Sequence, residues 1–165
     1  MTCFDNNSLR WAFQAFSSVA PPTDPFVQRV GNYILSLDQA DQKVVIPAIV
    51  LFEFLVIEPE NEHHRLIAGF AERFEIIPFD FRTASIAATL QARRTTSNQN
   101  PSTTSTPKQV LKVDCMIAAT AIAAGASEVL THDRDFEKLL QGSGVKVKKV
   151  SELPLPQPTL PFPPA

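Results

Sequence analysis

Glycine and cysteine are both scarce in this chain. Five glycines among 165 residues leave neither a phosphate-cradling loop nor a dinucleotide-binding glycine pattern. The two cysteines, Cys3 and Cys115, lie far apart with no spacing motif. That excludes a disulfide framework and points to reduced thiols in an intracellular protein. A long apolar run is missing too. The longest, Val44 to Ile57, is interrupted by Glu53 and is too short to cross a bilayer. Asp5 follows Met1 almost at once, so no secretory leader is read, and a soluble cytoplasmic protein without membrane association is expected. Excess charge of one sign is also absent. A net charge of −2 excludes a generic basic coat for nucleic acid, so any such contact must rest on a local patch.

What is present suits one domain, with an apolar share of 44% to build its core. Thr2-Cys3-Phe4 reads as a short strand ending at Asp5, with a helix from Ser8 to about Ser17. A breaker cluster, Ala20 to Pro25, precedes a helix from about Pro25 to Leu37. Lys43 to Ile46 is β-branched and reads as a buried strand. Pro47 then suits the first turn of a helix that runs to about Val56. A helix from about Asn61 to Phe74, a strand from Glu75 to Pro78 and a helix from Phe81 to Arg94 follow. After them come a helix from Gln109 to Ala124 with Gly125 as its cap, a strand from Glu128 to Thr131, a short helix from Asp135 to Gln141 and a strand from Val145 to Val150. Strands alternating with helices predict an α/β fold with a parallel sheet covered on both faces. Residues 1–152 are expected to form the domain. Within it residues 95–107, rich in Thr and Ser, are expected to be a mobile loop. Residues 153–165 read as a proline-rich, disordered tail in polyproline II.

The positions of the acids are more telling than their number. Glu53 is the one charge in Val44 to Ile57, and Asp114 shares a helix face with Ile117, Ala118 and Ala121. A lone ionised carboxylate on a core-facing stripe costs on the order of several kcal/mol unless it is paired or binds metal. Asp5 and Asp133 each follow a short apolar strand, so both project near the carboxyl edge of the sheet, where ligands bind in such folds. Glu53 and Asp114 are expected in early turns of helices that start near that edge. Four acids from four distant segments then converge, and hard oxygen ligands in a cluster suit Mg²⁺ or Mn²⁺.

Four stretches carry a family resemblance: Asp5-Asn6-Asn7, Ile46-Pro47 with Glu53 behind it, Asp114-Cys115-Met116-Ile117-Ala118-Ala119-Thr120-Ala121, and Thr131-His132-Asp133-Arg134-Asp135-Phe136. Their combination resembles the PIN-domain family, and more narrowly the toxin nucleases of VapBC-type toxin–antitoxin pairs, over roughly Thr2 to Leu153. The resemblance implies a three-layer α/β/α fold and a divalent-metal-dependent endoribonuclease. Position by position it implies Asp5, Glu53, Asp114 and Asp133 as catalytic acids. Asp5, Asp114 and Asp133 become metal ligands, with Asp135 a further candidate, and Thr131 and Asn7 support the carboxylates or the phosphate. It also implies an RNA substrate, a cognate antitoxin protein and a homodimer. The Thr/Ser-rich segment, the proline-rich tail and Asn6, where Thr or Ser is more usual, depart from the family pattern. Candidate phosphate-binding cations are Arg10, Arg93, Arg94, Lys108, Lys112 and Arg134, four of which flank residues 95–107.

Each acid alone also has a plainer reading. Asp133 and Asp135 suit helix capping, Asp5 a turn, and Glu53 a pair with a buried arginine. His63-His64 point to different helix faces and have no third His or Cys ligand at a useful spacing. Phe13, Phe16, Phe52 and Phe54 read as core, and Lys146, Lys148 and Lys149 as a solvated strand face. The alternatives to a nuclease are a non-catalytic PIN-like module that binds RNA or protein, and another Mg²⁺ hydrolase. A phosphatase would need an Asp-x-Asp motif after the first strand, which Asp5-Asn6-Asn7 lacks. The polar Thr/Ser segment offers nothing to a core, and loop entropy changes slowly with length. Deleting residues 95–107 should therefore preserve a single cooperative thermal transition. Its loss would show that the segment holds a structural element.

Overall fold

A computed structural model describes residues 1–18, 22–97 and 108–156, with only the backbone for 95–97 and 108–111. Five short strands, β1 (Thr2–Phe4), β2 (Val44–Pro47), β3 (Glu75–Ile77), β4 (Glu128–Thr131) and β5 (Lys146–Lys149), make one sheet in the order β3-β2-β1-β4-β5. Every pairing is parallel, as strands linked through crossover helices require. Among the described residues the helices are α1 (Asn6–Ser17), α2 (Pro25–Gln39), α3 (Ala48–Leu55), α4 (His63–Arg73), α5 (Phe81–Ser97), α6 (Lys108–Ala123) and α7 (Asp135–Leu139). α1 packs on α2 and α5 on α6, completing a three-layer α/β/α arrangement. None of the described helices is long and apolar enough to cross a membrane.

Local chemistry sets most boundaries. The Asp5 carboxylate accepts from the Ser8 N–H and caps α1, so the helix begins two residues before the Ser8 start expected above. Asp24 caps α2, with Pro25 in its first turn. Pro47 closes β2 instead of opening α3. α6 ends in a Schellman motif. Gly125 has φ +69°, where an L side chain would be strained, and its N–H reaches the Ile122 carbonyl while the Ala126 N–H reaches that of Ala121. The expected loop begins later than read, because residues 95–97 continue α5. Residues 98–107 fall outside the described residues, as do residues 157–165 of the expected tail.

β1, β2 and β4 form the floor of the core. Phe4, Ile46 and Leu130 are fully buried, with Phe54 and Phe136 packed against them. Leu153, read above as the start of the tail, is also part of this core. Two phenylalanines depart from expectation: Phe16 is 41% and Phe52 59% exposed. α3 is apolar apart from Glu53, so some of its apolar residues must turn outward. Phe16, near the end of α1, instead lies under the Arg73 guanidinium, 3.7 Å from the ring centroid. Lys148 is not simply solvated either. It bonds to Tyr33 and to Glu128, which also accepts from Thr2, at the end of the sheet where β1 and β4 begin. Ile34 of α2 is fully buried, so Ile34→Ala should cost about 2–5 kcal/mol of unfolding free energy in a urea titration. A cost under roughly 1 kcal/mol would place α2 outside the cooperative core.

Candidate active site

The β1–β4 pairing builds the site. Phe4 lies opposite Leu130, so the next residues, Asp5 and Thr131, meet at the carboxyl edge of the sheet. The Thr131 hydroxyl donates to Asp5 Oδ2 at 2.6 Å, and the Ser8 N–H donates to Oδ1 at 2.7 Å. The Ser8 hydroxyl donates to the Leu130 carbonyl at 2.8 Å, tying the start of α1 to β4. Thr131 Oγ1 also accepts from the Asp133 N–H at 2.9 Å. This chain of bonds holds Asp5, 4% exposed, in one orientation and sets Asp133 just outside it.

Asp114 comes to the same place from α6. It lies in the second turn of that helix, and Glu53 lies near the end of α3, so neither is at the very start of its helix. Ile117, Ala118 and Ala121, on the same face of α6 as Asp114, are all buried. Asp114 Oδ2 is buried and has no hydrogen-bond partner among the described residues. Burial pushes the Asp114 carboxyl up to about 7, helped by the charges of Asp133, Asp135 and Glu53 and opposed by Arg94. Burial also raises the Asp5 carboxyl. The hydrogen bonds from Thr131 and Ser8 oppose that rise, and the Asp133 charge adds to it. The Glu53 carboxyl is raised by burial and by Asp5, against the pull of Arg10. Asp114 feels the charges of Asp133, Asp135 and Glu53, Glu53 feels that of Asp5, and Asp5 that of Asp133, so the four segments bring their acids within electrostatic reach at the carboxyl edge of the sheet.

The supporting residues differ from expectation in three ways. Asn7 is exposed, and Ser8 does the holding assigned to it. An Asp followed three residues later by Ser at a helix start is a capping pattern, and that signal could have found Ser8. Asp135 does not cap. Its N–H donates to Asp133 Oδ1 at 2.8 Å, so the Asp133 carboxylate braces the turn into α7, while the Asp135 carboxylate pairs with Arg94. Two expected phosphate-binding cations are engaged inside the site. Arg94 is on Asp135, and Arg10 donates to the Glu53 carbonyl at 3.2 Å with its guanidinium 5.3 Å from the Phe54 centroid. Lys112 and Arg134 are exposed at the surface. Arg93, also exposed, lines a groove of about 280 Å³ with Ser85, Thr89 and Ser143. Lys108 opens α6, and its side chain lies outside the described residues.

Among the described residues, no three His, Cys, Asp or Glu side chains are arranged to hold a metal ion together. The donor chemistry nevertheless fits Mg²⁺. That ion keeps several waters and usually takes one or two protein carboxylates plus substrate phosphates. The unpartnered Asp114 Oδ2, within reach of the Asp133 charge, would suit such an ion, and leaving a buried acceptor unsatisfied costs about 1–3 kcal/mol.

The PIN domain family model matches residues 31–140, a span that holds Glu53, Asp114, Asp133 and Asp135 but not Asp5. Two solved structures share the fold. VapBC2 from Rickettsia felis, bound to a DNA fragment from its promoter, is 16% identical over 90% of this chain and 97% of that one, with a TM-score of 0.62. VapBC from Salmonella typhimurium, bound to DNA, is 19% identical over the same shares, with a TM-score of 0.61. A search of curated proteins found no match.

The raised Asp114 carboxyl has a consequence for stability. Its folded value of about 7 lies above the ordinary 3.8, so the folded state holds the proton more tightly than the unfolded chain. Without metal, stability should fall as pH rises from about 4 to about 7 and stay low above that. Asp114→Asn removes the charge. It should raise the metal-free melting temperature by several degrees at about pH 8 and change it little at about pH 4. Thermal melts in EDTA at both pH values check this, and a strongly destabilised mutant at the higher pH would make Asp114 a structural partner.

Proposed function

Since this chain belongs to the PIN domain family, we propose that it is a divalent-metal-dependent endoribonuclease and the toxin of a type II toxin–antitoxin pair. The observation that carries the catalytic part is Asp114: a buried carboxylate with an oxygen unpartnered among the described residues, within reach of the charges of Asp133, Asp135 and Glu53. No apolar packing explains that placement, and a cation would relieve it. Asp114 and Asp133 are the residues that would hold Mg²⁺ or Mn²⁺, with Asp5 beside them and Asp135 farther out on its arginine. A bound ion would supply Lewis-acid stabilisation for charge developing on the phosphate oxygens.

The chain's own residues do the rest. Asp5, fixed by Thr131 and Ser8, presents its carboxyl at the floor of the site in one orientation. Glu53 is half-buried with its carboxyl raised, which suits it to orient the attacking water and accept its proton. Arg94 and Arg10 hold the outer acids in place and limit repulsion within the cluster. Thr131 positions both Asp5 and Asp133, so its loss should act through their orientation.

The toxin assignment rests on family membership and on likeness to structures of VapBC proteins. The surface supports a protein partner. At the end of α3, Phe52, Val56 and Ile57 are 59%, 63% and 66% exposed. They adjoin a cavity of about 320 Å³ lined by Ala48, Leu51, Leu55 and His63. A contiguous apolar patch of this kind marks an interaction site. On this reading it serves an antitoxin, a second copy of the chain, or both.

One observation favours the non-catalytic alternative, an RNA- or protein-binding module: no three side chains among the described residues form a ready metal site. Cleavage assays decide between the two. Incubation with total cellular RNA should give discrete cuts with Mg²⁺ or Mn²⁺ and none in EDTA. Asp114→Asn should lower the rate by orders of magnitude, and Thr131→Ala by about 10–100-fold. Full activity in EDTA or in Asp114→Asn would remove the metal mechanism. Absence of cleavage with every divalent ion would leave the binding module.

A further inference from the structure

An aromatic cluster borders the acidic cleft without taking part in it. Trp11 of α1 and Phe26 of α2 stack, with centroids 5.0 Å apart and an interplanar angle of 20°. His132 stands nearly perpendicular to both, 6.1 Å from Trp11 and 5.1 Å from Phe26. Trp11 and Phe26 are half-buried, whereas His132 is exposed. In sequence His132 sits between Thr131, which holds Asp5, and Asp133. Trp11 lies one helical turn beyond Ser8, whose N–H and hydroxyl fix Asp5 and β4. The cluster is therefore continuous with the residues that build the site, and rings on two separate helices pack against the imidazole at its rim.

We infer that His132, held against Trp11 and Phe26, is a stacking platform for a nucleobase next to the phosphate that enters the acidic cleft. The inference rests on the nuclease reading for its substrate class, single-stranded RNA. Three observations carry it. An exposed ring with two aromatic contacts has lost its rotamer freedom before any ligand arrives, so little further ordering is needed on binding. Its neighbours in the chain set the distance between platform and acids rigidly. Finally, the cleft is acidic and two of its arginines already face acids or carbonyls, so attraction to phosphate alone gives the substrate a weak hold there. Base stacking supplies affinity that needs no positive charge and tolerates sequence, because every base has a π-face.

Trp11 is the only tryptophan in the chain, so its emission reports directly on this cluster. The experiment titrates the full-length protein, in EDTA to prevent cleavage, with a random-sequence single-stranded RNA. A second titration uses an abasic oligonucleotide of the same length and charge. The expected result is a change in Trp11 emission and tighter binding with the base-bearing strand, and neither with the abasic one. His132→Ala should weaken binding of the base-bearing strand by about 5- to 100-fold, and His132→Tyr, which restores a ring, should recover most of it. In cleavage assays His132→Ala should raise KM and leave kcat nearly unchanged. Equal binding of the two strands with unchanged emission would overturn the platform, as would wild-type affinity in His132→Ala. The wild-type titrations need no variant to fold. Cleavage without base discrimination would refute the platform and leave the nuclease standing. Discrimination without cleavage under any divalent ion would do the reverse.

Discussion

The pairing of β1 with β4 is the constraint on which the site depends. The two strands are joined only through more than a hundred residues of intervening chain, yet their register puts Phe4 against Leu130. One step farther, Asp5 meets Thr131, and the hydroxyl of Thr131 serves an acid on each side of it. A shift of one residue would turn every side chain of β1 to the opposite face and carry Asp5 away from both Thr131 and Asp114. The register is secured from below by the apolar strand residues, which are buried on both faces. It is secured from above by the Ser8 hydroxyl on the Leu130 carbonyl. Fold and site thus share a single fastening.

The site strains against that fastening. Asp5, Glu53, Asp114, Asp133 and Asp135 gather at one edge of the sheet, where Arg10 and Arg94 are engaged with them. Burial and mutual repulsion raise the carboxyls of Asp5, Glu53 and Asp114. The rest of the fold must offset that cost, and the dense apolar floor of β1, β2 and β4 is what does so. This is the usual relation between a charged functional cleft and the core beneath it. It also explains why the acids are carried by strand ends and packed helices. A flexible loop would let like charges drift apart, whereas these elements hold them together.

Much of this architecture was legible in the sequence, because the signals involved are local. Alternating apolar segments and breakers gave the order of elements, and the Gly125 cap of α6 follows directly from residue type. The acids were legible as well, since Glu53 and Asp114 interrupt apolar stretches in which a charge needs compensation. What escaped was whatever depended on distant partners. Asp135 looked like a cap, but Arg94, forty-one positions earlier in the chain, claims its carboxylate and leaves Asp133 to brace the turn into α7. Arg10 and Arg94 looked like phosphate contacts because sequence shows charge without showing what already faces it. Phe52 looked like core because hydrophobicity does not reveal which side of a short, largely apolar helix must face outward, and Phe16 because sequence does not show that Arg73 covers it. Ser8 was missed although its pattern is local, because Asn7 drew the assignment first.

The occupied arginines sharpen the question of how a chain with a net charge of −2 would grip RNA. Counterion release makes phosphate contacts the main source of affinity for most nucleic-acid binders. On the nuclease reading a cluster of carboxylates lies where the phosphate would come, and Arg10 and Arg94 are already engaged with that cluster. A divalent ion can reverse the sign of the field locally, but it acts at one phosphate and does little for the nucleotides on either side. Exposed Lys112 and Arg134 can steer a strand toward the cleft, yet salt screens such surface charges over roughly 8 Å. Short-range contacts with the bases are then the remaining way to fix the strand while the scissile phosphate is held against like charge. An aromatic ring immobilised at the rim, one residue from the acids, meets that need without adding a cation that would compete for them.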